Sequence, residues 1–150
     1  MLHAKVEKLA RRMRSAIEAL QPEKLPITMV AFPVGSCGDV SLLLVTYLKD
    51  SGIPDFEYVS GDRGSHNDNT WTSHAWLARG SLIVDITADQ FEDAPGKIIV
   101  SEDSVWHRTF EAGRGQPSDF RDWSGPGTYH LHTVYGLLRP SLFGEKAQGS

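Results

Sequence analysis

The chain has a single cysteine, Cys37, among its 150 residues. One thiol excludes an intrachain disulfide framework and any zinc site built from several thiolates, and it points to a reducing compartment. Positive charge is not in excess either. Fifteen Lys and Arg against nineteen Asp and Glu leave a formal net charge of −4, so there is no basic footprint and nucleic acid is not an expected partner. The longest apolar run, residues 42–48, is too short to span a bilayer, and no membrane partner is expected. The N-terminus lacks the apolar stretch and cleavage site of a secretory signal. It carries Lys5, Lys8, Arg11, Arg12 and Arg14, interrupted by Glu7 and Glu18. The expectation is a cytoplasmic protein with one domain over residues 1–150, whose 40% hydrophobic content is enough for a core.

Leu2, Val6, Leu9, Met13, Ala16, Ile17 and Leu20 fall at spacings of three and four, the stripe of an amphipathic helix. Pro22 and Pro26 break it, so residues 1–26 read as an N-terminal helix and connector. Residues 37–50 read as a second helix, apolar nearly all round and hence central, stopped by Gly52 and Pro54. Ser36 is its expected N-cap, with Asp39 completing a short capping box. Phe56 to Val59 reads as a strand, and Gly61 to Asn69 as a mobile polar loop that could gate a site. Two alternating runs, 71–79 and 81–87, flank Arg79-Gly80 in a hairpin pattern. Lys97 to Val100 reads as a strand with a helical turn near Trp106, 113–127 as loop, Thr128 to Leu138 as a last strand, and 139–150 as a frayed tail. The fold class is α+β.

Cys37 sits in Gly35-Ser36-Cys37-Gly38-Asp39, at the start of the buried helix. Free N–H groups and the dipole at a helix N-terminus favour thiolate over thiol, so this is where a nucleophile is activated. The hairpin supplies the partners. With Arg79-Gly80 as a two-residue loop, His74 stands directly opposite Asp85, with Cβ atoms about 4.5–5.5 Å apart. With Gly80-Ser81 as the loop, Asp85 faces Trp76 and is a diagonal neighbour of His74. Both registers keep His74 and Asp85 on one face, because side chains alternate with period two. Ala75, Leu77, Leu82, Val84 and Ile86 then make the opposite, core-facing surface. His74 would take the thiol proton and return it to the leaving group, Asp85 would fix the imidazole, and the Cys37 N–H would supply one oxyanion donor.

A Cys at a helix start, a His on one strand and an Asp on the next resemble the transglutaminase-like branch of the papain-like superfamily. Ser36-Cys37 and the spacing from Ser73-His74-Ala75-Trp76-Leu77 to Asp85 are most similar to lasso-peptide leader-peptidase-type proteins and their small bacterial relatives. The resemblance covers about residues 33–92. It implies a papain-like (transglutaminase-like) core, with Cys37, His74 and Asp85 as a catalytic triad acting on an acyl or amide carbon. Such an enzyme needs no metal or organic cofactor. A peptide or protein substrate, for a peptidase or deamidase, fits better than small-molecule acetylation, because no coenzyme A or arylamine pocket is recognisable. The rival reading is an inactive fold that serves as a protein-binding module.

Several other residues admit two readings. Trp71 and Trp76 are core or rim aromatics, or walls of a substrate groove. Gln90 is part of a strand-ending turn, or a hydrogen-bond donor to substrate. Asp89 is a turn residue, or the group that replaces Asp85. His66 reads as solvated, as does the acidic pair Glu92-Asp93. His130 and His132 would share a face of the last strand, but no carboxylate pattern accompanies them, so no metal is assigned.

Overall fold

A computed structural model describes residues 1–144. Among them are three helices and a six-stranded antiparallel sheet, an α+β arrangement. Helix α1 (Leu2–Ala19) buries the expected stripe: Val6, Met13 and Ile17 are inaccessible or nearly so. Each such side chain taken fully out of water contributes roughly 1.5–3 kcal/mol. Helix α2 (Cys37–Asp50) keeps the bounds read from the sequence and is buried almost all round. It stops at Gly52, whose φ of +85° is open to glycine without strain, while Ile53 N–H donates back to the Leu48 carbonyl at 2.8 Å.

The sheet runs in the order β4 (Ile99–Ser101), β3 (Leu82–Asp85), β2 (Thr72–Arg79), β1 (Glu57–Arg63), with β5 (Glu111–Ala112) and β6 (Gln116–Pro117) both on β1. Arg79 pairs with Leu82 and Leu77 with Val84, so Gly80-Ser81 is the two-residue loop, with Gly80 at φ +60°. The two faces divide as period two requires. Leu77, Leu82 and Val84 join the helices in the main core, and Val59, Trp76, Ile99, Trp106 and Phe110 form a second, aromatic core on the opposite face.

Three expectations are corrected. Gly61 to Arg63 is not loop but the end of β1, paired with His74, Ser73 and Thr72. A side chain at Gly61 would press on the Trp76 ring at 3.0 Å and the Phe110 Cβ at 3.1 Å, so this glycine serves packing and not a turn. The shortened loop after it is stitched by bonds from Thr70 N–H and Trp71 N–H to the Ser65 carbonyl. Thr128 to Leu138 is not a strand. It belongs to helix α3 (Tyr129–Phe143), in which Leu131, Val134, Tyr135, Leu138 and Leu142 are buried at helical spacing. The tail is also ordered farther than expected: Leu142 is buried and its carbonyl accepts from the Tyr47 hydroxyl at 3.2 Å. The rest of that expected tail, 145–150, lies outside the described residues. No helix among the described residues is long and apolar enough to cross a membrane.

Candidate active site

The site lies where β3 ends. Ser60 of β1 turns its carbonyl outward to Gly113 N–H at 2.9 Å, so its pair with Ala75 is not hydrogen-bonded. The Ala75 N–H therefore points toward β3, which has left the ladder at Asp85. Cys37, at the first turn of α2, sits beside that free donor: the Ala75 N–H and His74 both lie close enough to its sulfur to favour the thiolate. Helix start and hairpin, which the sequence could not place relative to each other, are thereby joined.

His74 and Asp85 meet through Nε2 and Oδ2 at 2.6 Å, in a region where both side chains are at most 1% exposed. Asp85 reaches His74 along the diagonal, as the Gly80-Ser81 loop dictates. Its other oxygen, Oδ1, accepts from Thr87 N–H at 2.9 Å. A third group completes the carboxylate's shell. His107 Nε2 lies 2.7 Å from the same Oδ2, and its Nδ1 lies 2.5 Å from the Ser104 hydroxyl. Nothing in the sequence marks His107 as a partner of Asp85. The one local signal is Ser104 three residues before it, a short turn capped by its own hydroxyl.

His74, Asp85 and His107 also meet the donor count of a metal site. Their spacing is that of shared protons, however. Ligands around a tetrahedral ion at about 2.0–2.2 Å from each donor stand over 3 Å apart, whereas both nitrogens here are within 2.7 Å of one oxygen.

The electrostatics follow from this geometry. Burial opposes ionisation of Asp85, but the bonds from His107 and His74 outweigh it and hold the carboxyl down at about 2. Burial also disfavours imidazolium, yet Asp85 and then Cys37 carry His74 up to about 9. For Cys37 burial acts upward, and the His74 bond, the His74 charge and the Ala75 N–H together bring the thiol below its ordinary value. All three shifts favour a thiolate–imidazolium pair.

Ser36 occupies the N-cap position but does not cap. Its hydroxyl donates to the Pro33 carbonyl at 2.9 Å, and the helix has no side-chain cap bond. Asp39 turns away as well, to Thr28 and to His130 at 3.0 Å, so the capping box is absent. The first-turn N–H groups beside Cys37 are left without a side-chain acceptor among the described residues.

Gln90 belongs to the constellation. Its amide nitrogen donates to the Thr87 carbonyl at 3.2 Å and lies 3.3 Å from His74 Nδ1, the ring nitrogen turned away from Asp85. Asp89 does not replace Asp85: both its oxygens bind the Arg14 guanidinium at 2.8 Å, and Arg14 also donates to the Ile86 carbonyl at 2.7 Å. Trp76 is 3% exposed and packs in the aromatic layer over His74 and His107, and its edge lines an open cavity of about 540 Å³ together with Val59, Ile83 and His107. Trp71, 41% exposed, stacks on His66 at 4.7 Å and stands on the rim three residues before His74. His130 and His132 lie on a helix and diverge, one to Asp39 and the other against Phe120. Asp93 is paired with Arg63 at 2.7 Å, while Glu92 has no such bond among the described residues. No protein-family model, curated protein or solved structure matches this chain.

Proposed function

We propose that this protein is a cysteine-dependent amide or acyl hydrolase or transferase, of peptidase or protein-deamidase type, built on a papain-like (transglutaminase-like) core. The observation that carries the reading is the continuous contact from the Cys37 thiol through His74 to Asp85, three groups supplied by α2, β2 and β3. Each has the role its position allows. His74 Nδ1 takes the Cys37 proton, and the thiolate attacks the acyl carbon, moving the carbonyl electron pair onto oxygen. The Cys37 N–H, uncapped at the helix start, is the donor proposed for that developing charge. When the tetrahedral intermediate collapses, the carbon–nitrogen bond breaks and the amine leaves with the proton from Nδ1. Asp85 holds Nε2–H throughout, fixing the tautomer and stabilising the imidazolium. Water or an amine then resolves the thioester. A peptide or protein carrying the scissile or side-chain amide is the substrate class proposed.

Thiol reactivity against pH tests this directly. Iodoacetamide should alkylate native Cys37 with an apparent pKa below the free-thiol value of about 8.5, and His74→Ala should raise it. Mass spectrometry after incubation with peptide libraries should find acyl groups trapped on Cys37. A thiol that reacts only after denaturation would leave an inactive protein-binding module as the surviving description.

A further inference from the structure

The triad provides one oxyanion donor, and a tetrahedral oxyanion ordinarily meets two. Tyr58 lies on β1 in register with Leu77, on the sheet face that packs against the helices. Its hydroxyl reaches the first turn of α2: a methyl group built on Gly38 would stand 3.4 Å from it. Glycine is a poor helix former, costing about 1 kcal/mol against alanine, and a larger residue here would crowd that hydroxyl. The hydroxyl itself has no hydrogen-bond partner among the described residues, though it is half-buried and senses the charges of Cys37 and Asp39. An idle phenol beside uncapped N–H groups and a nucleophile is a donor without an acceptor.

We propose that the Tyr58 hydroxyl is the second oxyanion donor, acting with the Cys37 N–H on the tetrahedral intermediate. This rests on Cys37 being the nucleophile. As the carbon–sulfur bond forms, the carbonyl electron pair becomes an alkoxide that accepts from both donors. Collapse restores the carbonyl and expels the leaving group, and the tyrosine keeps its proton throughout. Burial, and then the neighbouring Cys37 and Asp39 charges, push Tyr58 above its ordinary value, which keeps it a donor at neutral pH.

The test compares two reactions of the full chain at Cys37. Acylation by p-nitrophenyl acetate passes through an oxyanion and releases p-nitrophenolate, whereas alkylation by iodoacetamide displaces iodide and forms none. Tyr58→Phe should slow acylation by about 10²-fold and leave the alkylation rate and its pH midpoint where they are in the wild type. Unchanged acylation overturns the assignment. Equal loss of both reactions also overturns it, since Tyr58 would then act on the thiolate or the fold. A wild-type Cys37 that is neither acylated nor alkylated at neutral pH points elsewhere: the triad reading itself fails and takes this inference with it.

Discussion

Replacing His107 with Leu removes one of the two donors on Asp85 Oδ2, in a region where the carboxylate and both rings are at most 1% exposed. A hydrogen bond to a buried charge contributes about 1.5–3 kcal/mol, which corresponds to raising the Asp85 pKa by about 1–2 units. From its present value of about 2 the carboxyl would return close to its ordinary 3.8. The sign of the pH dependence is fixed by that shift. A depressed carboxyl contributes stability present above about 3.8 and lost as pH falls through about 2. The amount, at 1.36 kcal/mol per pH unit, is about 2 kcal/mol in the wild type, and under about 1 kcal/mol in the variant. Urea unfolding followed from pH 6 down to pH 2 should therefore show a gap between the two proteins of about 1–2 kcal/mol near neutrality that narrows on acidification. Other depressed carboxyls, such as Asp119, act on both proteins alike and drop out of the difference. His107→Gln, whose amide can still donate, should recover part of the gap. A gap of constant size at every pH would mean that His107 only fills space, and the shared-carboxylate argument would be wrong.

The Cys37–His74 pair should leave its own mark on the alkaline side. His74, raised from 6.5 to about 9, takes up a proton on folding in that interval, while Cys37, lowered from 9.0, gives one up. The two opposite slopes offset in the wild type. Cys37→Ser removes that opposite slope together with the Cys37 share of what raises His74, leaving Asp85 to hold the imidazolium, so its stability should fall as pH rises above 6.5, and a flat profile for that variant would contradict the His74–Asp85 ion pair. Arg14→Met should destabilise by roughly 2–4 kcal/mol in urea unfolding, because it strands Asp89 and the Ile86 carbonyl together. Asp89→Asn should cost less, since that carboxylate is 29% exposed, and equal losses would locate the effect in the apolar packing of Arg14 instead.

Local pattern made much of the site legible. The Cys37 helix start and the common face of His74 and Asp85 follow from helical and strand periods, and neither depends on distant contacts. The exact hairpin register did not follow, since Arg79-Gly80 and Gly80-Ser81 are both acceptable two-residue loops. His107 was invisible for a different reason. It lies 22 residues from Asp85, beyond an irregular stretch, so only tertiary closure brings it there. Helix α3 reads as a strand in the sequence although its buried residues keep helical spacing. Tyr129, Thr133 and Val134 favour strands, and Gly136 and Pro140 look like breakers, yet packing on α1 and α2 overrides these preferences.

The early end of β3 links these features. Had the strand continued, Ile86 would have taken the Ala75 N–H and the cysteine would face a closed ladder. Instead the chain turns at Asp85, whose Oδ1 accepts from Thr87 N–H, and Arg14 clamps the following turn through the Ile86 carbonyl and Asp89. The same turn carries Gln90 to His74 Nδ1. One strand terminus therefore does three things: it frees a backbone donor for the sulfur, aims a carboxylate along the diagonal at the histidine, and places an amide at the ring's other nitrogen. A lengthened β3 would be expected to disrupt all three while leaving both hydrophobic cores intact, which makes the strand's end, more than any single side chain, the feature that creates the site.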